Sequence, residues 1–114
     1  MKGRQQQSGK QPKGGRAMFA RVVKVEFQEG KLDEAKRIVN ESVVPVLKEQ
    51  KGFKNQILLI QRETKKAISI NIWETEADLT AFEKGSHYKE VLGKLATVLA
   101  AQPESEAYEV SIHT

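Results

Sequence analysis

Three side chains able to hold an aromatic ligand alternate along one short segment of the chain. Ser69, Asn71 and Trp73 are separated by isoleucines between Ala67 and Glu74, and alternate residues of a strand share a face. Trp73 offers a flat wall for an aromatic ring, and Asn71 can donate a hydrogen bond to a carbonyl or a developing oxyanion. The alternative is that Trp73 packs in a core and Asn71 meets a neighbouring group.

A histidine stands where a helix is expected to begin. His87 lies between Ser86 and Tyr88, and near a helix N-terminus the dipole favours the neutral imidazole, which suits a base. The alternative is a surface histidine in the first turn, with Tyr88 as the second group able to assist proton movement. His113 lies beside the C-terminus and is predicted to be an exposed strand end.

A cation interrupts the apolar face of the first predicted strand. Arg21 either pairs with an acid such as Glu109 or anchors an anionic ligand, and the pair is the preferred interpretation. No metal site is predicted, because the two histidines stand apart and the chain has no cysteine. Gly14-Gly15 follows no strand, so a phosphate-binding loop is not predicted either.

Size and composition favour one domain in the cytoplasm. The chain has 114 residues, which suits a single domain. The absence of cysteine fits a reducing compartment. No apolar run approaches the roughly 20 residues that span a bilayer, and the N-terminus lacks the apolar segment of a secretory signal. We therefore expect no membrane association.

The basic charge of the chain is confined to its N-terminus. Five of the basic residues fall within positions 1–16, which contain no acid, so the net charge of +4 becomes −1 for the remainder. Positions 1–16 are predicted to be a disordered basic tail, because they contain no large apolar residue. The folded domain, 17–114, shows no basic face for nucleic acid. The basic residues of the tail are Lys2, Arg4, Lys10, Lys13 and Arg16.

The first half of the domain follows a strand, helix, strand, strand pattern. Alternation over 18–28 predicts a strand, and apolar spacings of three and four over 31–50 predict a helix. Pro45 predicts a kink or restart near Val43 to Pro45, and Gly52 predicts the helix stop. Segments 53–63 and 67–74 are joined by a short polar turn and are expected to pair as an antiparallel hairpin. The strand face shared with Arg21 carries Phe19, Val23, Val25 and Phe27.

The second half adds two helices and a strand. Thr75 followed by Asp78 resembles a capping box, which predicts a helix from Glu76 towards Gly85. Ser86 is expected to cap a second helix that ends at Gln102-Pro103, and 106–113 is expected to be the fourth strand. The order β-α-β-β-α-β predicts an α+β fold with a four-stranded antiparallel sheet and helices on one face. The apolar run Ile57 to Ile60 predicts that both faces of its strand are covered, one by helices and the other by a partner. The bare apolar face therefore predicts a homodimer.

The sequence resembles the antibiotic biosynthesis monooxygenase (ABM) domains. The resemblance implies a dimeric α+β barrel of ferredoxin-like topology, and it spans nearly all of 18–114. Such domains include quinone-forming oxygenases, haem-degrading enzymes, isomerases and copies with no known activity. The segments that carry the resemblance are 30–35 (GKLDEA), 43–47 (VVPVL), Gly52-Phe53, 68–79 (ISINIWETEADL) and 85–88 (GSHY).

Departures from the family pattern bear on the chemistry. Many oxygenase members carry a histidine at the position of Phe82, so the proton-handling role of that histidine is not transferred. The haem-degrading branch uses an Asn, Trp, His set, and the corresponding positions are Arg21, Phe82 and Leu92. A haem-degrading function is therefore disfavoured.

The resemblance implies a cofactor-independent monooxygenase that acts on a phenolic, quinol or polycyclic aromatic small molecule. Such a reaction needs neither metal nor cofactor, since the ionised substrate itself reduces oxygen and the protein must bind it, promote its ionisation and exclude water. The alternative is a non-catalytic binding or structural module of the same dimeric fold. The predicted catalytic residues are His87 and Asn71, and the predicted ligand-binding residues are Trp73, Tyr88, Arg21 and Phe82.

Overall fold

The strand that carries Arg21 lies inside a four-stranded antiparallel sheet. A computed structural model describes residues 17–114, and the predicted basic tail, 1–16, lies outside the described residues. The strand order is β2-β3-β1-β4, which is the ferredoxin-like arrangement expected from the sequence. The strands are β1 (Phe19–Glu26), β2 (Phe53–Gln61), β3 (Lys66–Trp73) and β4 (Glu104–Glu109).

The helices pack on one face of this sheet, as predicted. The first predicted helix consists of α1, a π-helical segment and α2, and the second half contributes α3 and α4. Their bounds are α1 (Leu32–Ile38), the π segment (Val39–Val43), α2 (Val44–Lys48), α3 (Glu76–Lys84) and α4 (Ser86–Leu95). None of the helices in 17–114 is long and apolar enough to cross a membrane.

The predicted irregularity near Pro45 is confirmed. The π segment ends at Val43, and Pro45 follows it in a helical stretch that is continuous from Leu32 to Lys48. Proline lacks the N–H that an α-helix uses at an interior position, which accounts for a change of hydrogen-bond pattern there. Gly52 has a φ of +83°, a left-handed conformation that favours glycine. The helical stretch already ends at Lys48, with Glu49 as its C-cap. Gly52 therefore lies in the turn before β2 and is not the C′ residue that the sequence predicted.

The helix α4 is shorter than predicted. It ends at Leu95 rather than near Pro103, because the following residues join the end of β1. The Gln28 N–H donates to the Val98 carbonyl over 2.9 Å, and Leu99 forms an isolated bridge with Phe27. Val98 is completely buried there.

Two predictions at element ends are corrected. Gly85, not Ser86, occupies the N-cap position of α4, and no side chain caps that helix. The fourth strand ends at Glu109 rather than His113, because Glu109 is paired with Phe19 at the start of β1. Beyond that pair, within 17–114, the Val110 N–H still donates to the Met18 carbonyl over 2.9 Å. The predicted cap at Thr75 is confirmed, since the Asp78 N–H donates to its hydroxyl over 3.1 Å.

The face of the sheet away from the helices, here called the open face, is apolar along β2 and β3, whereas Lys24 of β1 and Glu104 and Glu106 of β4 lie on the same face. Ile57, Ile70 and Val22 are in register across β2, β3 and β1. In the next row, Leu59 pairs with Ile68. Ile57 and Leu59 are 48% and 49% exposed, so the bare apolar face predicted from the sequence is present in the subunit.

Candidate functional site

Three polar side chains form a single row across the helix-covered face of the sheet. Asn71 of β3 is in register with Gln56 of β2 on one side and with Arg21 of β1 on the other. Directly opposed residues on one face lie within contact distance. Arg21 and Asn71 are 5% and 3% exposed. We call these three residues the polar row.

Hydrogen bonds inside the protein occupy both amide oxygens of the polar row. The Trp73 Nε1–H donates to Asn71 Oδ1 over 2.8 Å, and Asn71 Nδ2 donates to Gln56 Oε1 over 3.3 Å. Gln56 Nε2 in turn donates to the Ser69 hydroxyl over 2.7 Å. Asn71 therefore does meet neighbouring groups, and the polar row keeps more donors than acceptor sites for any further partner.

Arg21 is paired with an acid, although not with the one predicted. Its Nε donates to Glu83 Oε2 of α3 over 2.9 Å, and its guanidinium carbon lies 4.6 Å from the centre of the Tyr88 ring. The predicted pair with Glu109 is wrong, because the residue opposite Arg21 on β4 is Ala107. Glu109 is instead exposed at the end of that strand.

Aromatic rings extend from Tyr88 to the deepest part of the core. Phe82 lies edge-on to Tyr88 with 5.7 Å between ring centres, and it stacks on Trp73 at 5.1 Å with an interplanar angle of 27°. Phe53 meets the other side of Trp73 edge-on. Trp73 has no exposed surface, so it lies behind Phe82 and holds Asn71 in place.

A cavity of about 60 Å³ lies between the polar row and the helices. The polar row, Ser69, Tyr88 and Phe82 line it, together with aliphatic side chains from three helical segments and from β1 and β2. Neither Trp73 nor His87 reaches its wall. The aliphatic lining from the helical segments comes from Val39, Val43, Leu47, Val91, Leu92 and Leu95.

His87 lies apart from this cavity. Its side chain is 52% exposed, and its Nδ1 lies 3.3 Å from Glu90 Oε1 one turn further along α4. The structure thus brings together Arg21, Asn71, Phe82 and Tyr88 at one cavity. It places Trp73 in the supporting layer and His87 on the surface.

Two residues of the site were missed at the level of sequence. Gln56 was available from the hairpin, since the short turn sets the β2 and β3 register that puts it beside Asn71. Glu83 follows Phe82 on α3, and only the packing of that helix over β1 shows that its carboxylate reaches Arg21. No cluster of three or more metal-ligating side chains occurs within 17–114.

Solved structures with the same fold come from several bacteria, and all those described here are less than 25% identical to this chain. A Bordetella bronchiseptica protein assigned to the antibiotic biosynthesis monooxygenases is 15% identical, with a TM-score of 0.76 over 85% of this chain and 100% of that one. A Nitrosomonas europaea protein of unknown function is 19% identical, with a TM-score of 0.72 over 89% of this chain and 96% of that one.

A third structure contains a ligand. The monooxygenase ActVA-Orf6 of Streptomyces coelicolor, solved in complex with nanaomycin D, is 16% identical, with a TM-score of 0.74 over 87% of this chain and 92% of that one. At these identities the likeness establishes the fold alone.

The sequence itself carries a family signature. No curated protein gives a significant match. The family model described as antibiotic biosynthesis monooxygenase matches residues 18–94. Since that match covers more than half of the chain, the protein belongs to the antibiotic biosynthesis monooxygenase family.

Proposed function

We propose that this protein binds a phenolic, quinol or polycyclic aromatic small molecule in the cavity beside the polar row and oxidises it as a cofactor-independent monooxygenase. The observation that carries this proposal is a buried polar row, containing Arg21 and Asn71, in a cavity that is otherwise aromatic and aliphatic. Ligand sites typically combine apolar walls with a few convergent polar groups. Membership of the family and the nanaomycin D complex of ActVA-Orf6 support the same ligand class.

In the proposed reaction the substrate supplies the electrons, and the protein binds the substrate, excludes water and handles the proton. An ionised anthrone or quinol gives electrons to O₂; for anthrone the ring methylene becomes a carbonyl, one oxygen atom stays in the product and the other leaves as water. The apolar walls exclude bulk water, and Asn71 holds the substrate oxygen through its amide N–H. Among the proton-bearing side chains at the cavity, Arg21 is paired with Glu83 and the Ser69 hydroxyl accepts from Gln56. We therefore assign the proton-handling role to Tyr88 in preference to His87, which lies outside the cavity.

The size of the cavity sets a condition on the ligand. About 60 Å³ is well below the roughly 300–1,000 Å³ of pockets that hold drug-sized ligands. A single aromatic ring requires modest opening, whereas a polycyclic ligand requires the π segment and α4 to separate. We therefore expect small phenols and quinols to bind more readily than anthrones.

A non-catalytic binding module is the second candidate, and three observations favour it. Trp73 is fully enclosed, Phe82 fills its position with an apolar ring, and His87 lies outside the cavity. In this case the ligand would bind without being oxidised. The two candidates share the cavity and differ only in turnover.

Oxygen uptake separates the two candidates. Protein is mixed with anthrone, naphthol or a quinol in air, and oxygen consumption and product are followed together. An oxygenase gives uptake above the buffer rate, and Tyr88→Phe lowers that rate by more than His87→Ala, by about 100-fold for a lost general acid or base. Binding without oxygen uptake, detected through the fluorescence of the single tryptophan, Trp73, supports the module. If the protein shows neither binding nor oxygen uptake, both candidates are wrong.

We propose further that two copies associate through their open faces. An apolar sheet face with Ile57 and Leu59 about half exposed gains free energy when it is covered, at about 25 cal/mol per Å² of apolar surface. A second copy brings a face of the same shape and chemistry, as an isologous dimer requires. Light scattering at micromolar concentration is expected to give the mass of a dimer.

A further inference from the structure

Arg21 has more hydrogen-bond donors than its surroundings use. A guanidinium carries five N–H groups, and among residues 17–114 only its Nε has a partner, Glu83. The side chain is 5% exposed and contributes to the cavity wall. A buried donor without an acceptor costs about 1–3 kcal/mol, so both terminal nitrogens need an acceptor from within the cavity.

The other members of the polar row restrict what that acceptor is. The oxygens of Asn71 and Gln56 already accept hydrogen bonds from Trp73 and from Asn71. Each amide oxygen has two lone pairs and already uses one of them, so the polar row offers the cavity more N–H donors than acceptor sites. A ligand oxygen with lone pairs therefore finds more partners on this row than a ligand amine or ammonium does.

The charge of Arg21 is only partly compensated. Its link to Glu83 is a single hydrogen bond through Nε, and the Glu83 side chain is 33% exposed, so water screens the carboxylate more than the guanidinium. The Tyr88 ring covers the guanidinium at 4.6 Å and leaves its edge for in-plane hydrogen bonds. This edge stabilises an anionic oxygen in the cavity through the positive charge of the guanidinium and through directed N–H hydrogen bonds.

We propose that the cavity binds its aromatic ligand as the oxyanion, with the ionised hydroxyl on the terminal nitrogens of Arg21, and that Arg21 thereby lowers the pKa of the ligand hydroxyl. The proton leaves to solvent on binding. This inference rests on the proposed function for the location of the ligand, and it assigns Arg21 the role of selecting the ionised form. It holds for an oxygenase and for a binding module alike.

The test uses para-nitrophenol, whose phenolate is yellow, and nitrobenzene as its neutral analogue. The full-length protein at saturating concentration is expected to lower the pKa of bound nitrophenol by about one unit or more, as a neighbouring guanidinium does for an acid. Calorimetry is expected to show nitrophenolate binding at least 10-fold more tightly than nitrobenzene. An unshifted pKa, or equal affinities, overturns the inference.

Three variants separate an anion anchor from a structural arginine. Arg21→Met is expected to abolish the pKa shift, and Arg62→Met, at a 61% exposed arginine far from the cavity wall, is expected to leave it unchanged. Glu83→Gln removes the competing carboxylate and is expected to tighten nitrophenolate binding several-fold. A purely structural Arg21–Glu83 pair predicts no such gain, so weaker or unchanged binding in Glu83→Gln overturns the proposal even if Arg21→Met fails to fold.

The outcomes also separate this inference from the proposed function. Binding of nitrobenzene and nitrophenol alike, without a pKa shift, leaves the cavity as a ligand site and removes the role of Arg21. A pKa shift without oxygen uptake supports the anion anchor and removes the monooxygenase. If neither nitrophenol nor nitrobenzene binds or quenches Trp73 fluorescence, both the role of Arg21 and the proposed function are overturned.

Discussion

The two faces of the sheet reverse the usual distribution of polar and apolar residues. On the face that the helices cover, Arg21 and Asn71 are 5% and 3% exposed. On the open face, Ile57 and Leu59 are about half exposed. Buried polar groups need hydrogen-bond partners and exposed apolar patches need cover, so each face lacks something that a single folded subunit does not supply.

The helix-covered face and the open face differ in how much surface needs a partner and in which kind of partner satisfies it. The helix-covered face lacks acceptors for a few N–H groups in a cavity of about 60 Å³, which a small molecule can supply. The apolar residues of the open face lack cover mainly along β2 and β3, which only a large surface can supply. The proposed ligand site and the proposed subunit interface therefore lie on opposite sides of the same strands, and β3 contributes to both.

The largest effect is expected where the helix-covered face is most tightly packed. Trp73→Ala removes a fully buried ring that contacts Phe82 and Phe53, and such truncations cost about 3–5 kcal/mol. Urea unfolding followed by circular dichroism measures the loss. Ile112→Ala, at an 85% exposed position beyond β4, is the control and is expected to stay within about 0.5 kcal/mol of the wild type. Equal stability of the two variants would show that this core is not closed around Trp73.

The next effect belongs to the open face. Leu59→Lys places a charge among exposed apolar residues and is expected to weaken dimerisation by about 10- to 100-fold, since burying a leucine contributes about 1.5–3 kcal/mol. Analytical ultracentrifugation measures the dissociation constant. Ile112→Lys adds the same charge outside the sheet and is expected to leave it unchanged. A wild-type protein that stays monomeric at micromolar concentration removes the interface altogether.

A smaller effect tests the polar row itself. Asn71→Leu leaves the buried Trp73 N–H without its acceptor, so it is expected to cost about 1–3 kcal/mol in unfolding free energy. In a Trp73→Phe background the orphaned donor no longer exists, and the same substitution is expected to cost less. The coupling free energy of this double-mutant cycle measures the 2.8 Å hydrogen bond, and additive losses would mean that the bond contributes nothing.

How far the sequence predicts this molecule depends on whether a feature is local. The hairpin and the restart at Pro45 follow from short-range periodicity and turn chemistry, and the structure confirms them. Gly52 does form a left-handed turn before β2, although the helix ends earlier, at Lys48. The end of α4 at Leu95 does not follow, because the residues after it are held by β1 rather than by their own helical pattern. Contacts with residues that are distant in sequence decide where a helix or strand ends.

The same distinction applies to the site. Alternation predicts that Arg21 shares a face with Val23 and that Asn71 shares one with Trp73, and in the structure both belong to the helix-covered face. The pairing of Arg21 with Glu83 instead of Glu109 depends on how α3 packs over β1, which no strand periodicity contains. His87 was placed correctly in the first turn of α4, but the direction of that turn relative to the cavity is tertiary information.

The smallest expected effect concerns a tyrosine at the edge of the open face. Tyr108 donates a hydrogen bond to the Glu106 carboxylate over 2.5 Å. This bond, together with the negative charge of Glu106, raises the pKa of Tyr108 above its ordinary value of 10.0. The contribution of this contact to stability is therefore complete below about pH 10 and is lost as the pH rises through the raised pKa.

Absorbance titration of Tyr108 in a Tyr88→Phe background isolates this group, since the chain has two tyrosines. Glu106→Gln removes the charge but keeps the shape, so the pKa of Tyr108 is expected to fall back towards its ordinary value. If a second copy covers the open face, desolvation raises this pKa further in the dimer than in the Leu59→Lys monomer. Identical pKa values in dimer and monomer would place Tyr108 outside the buried interface and confine the cover to β2, β3 and β1.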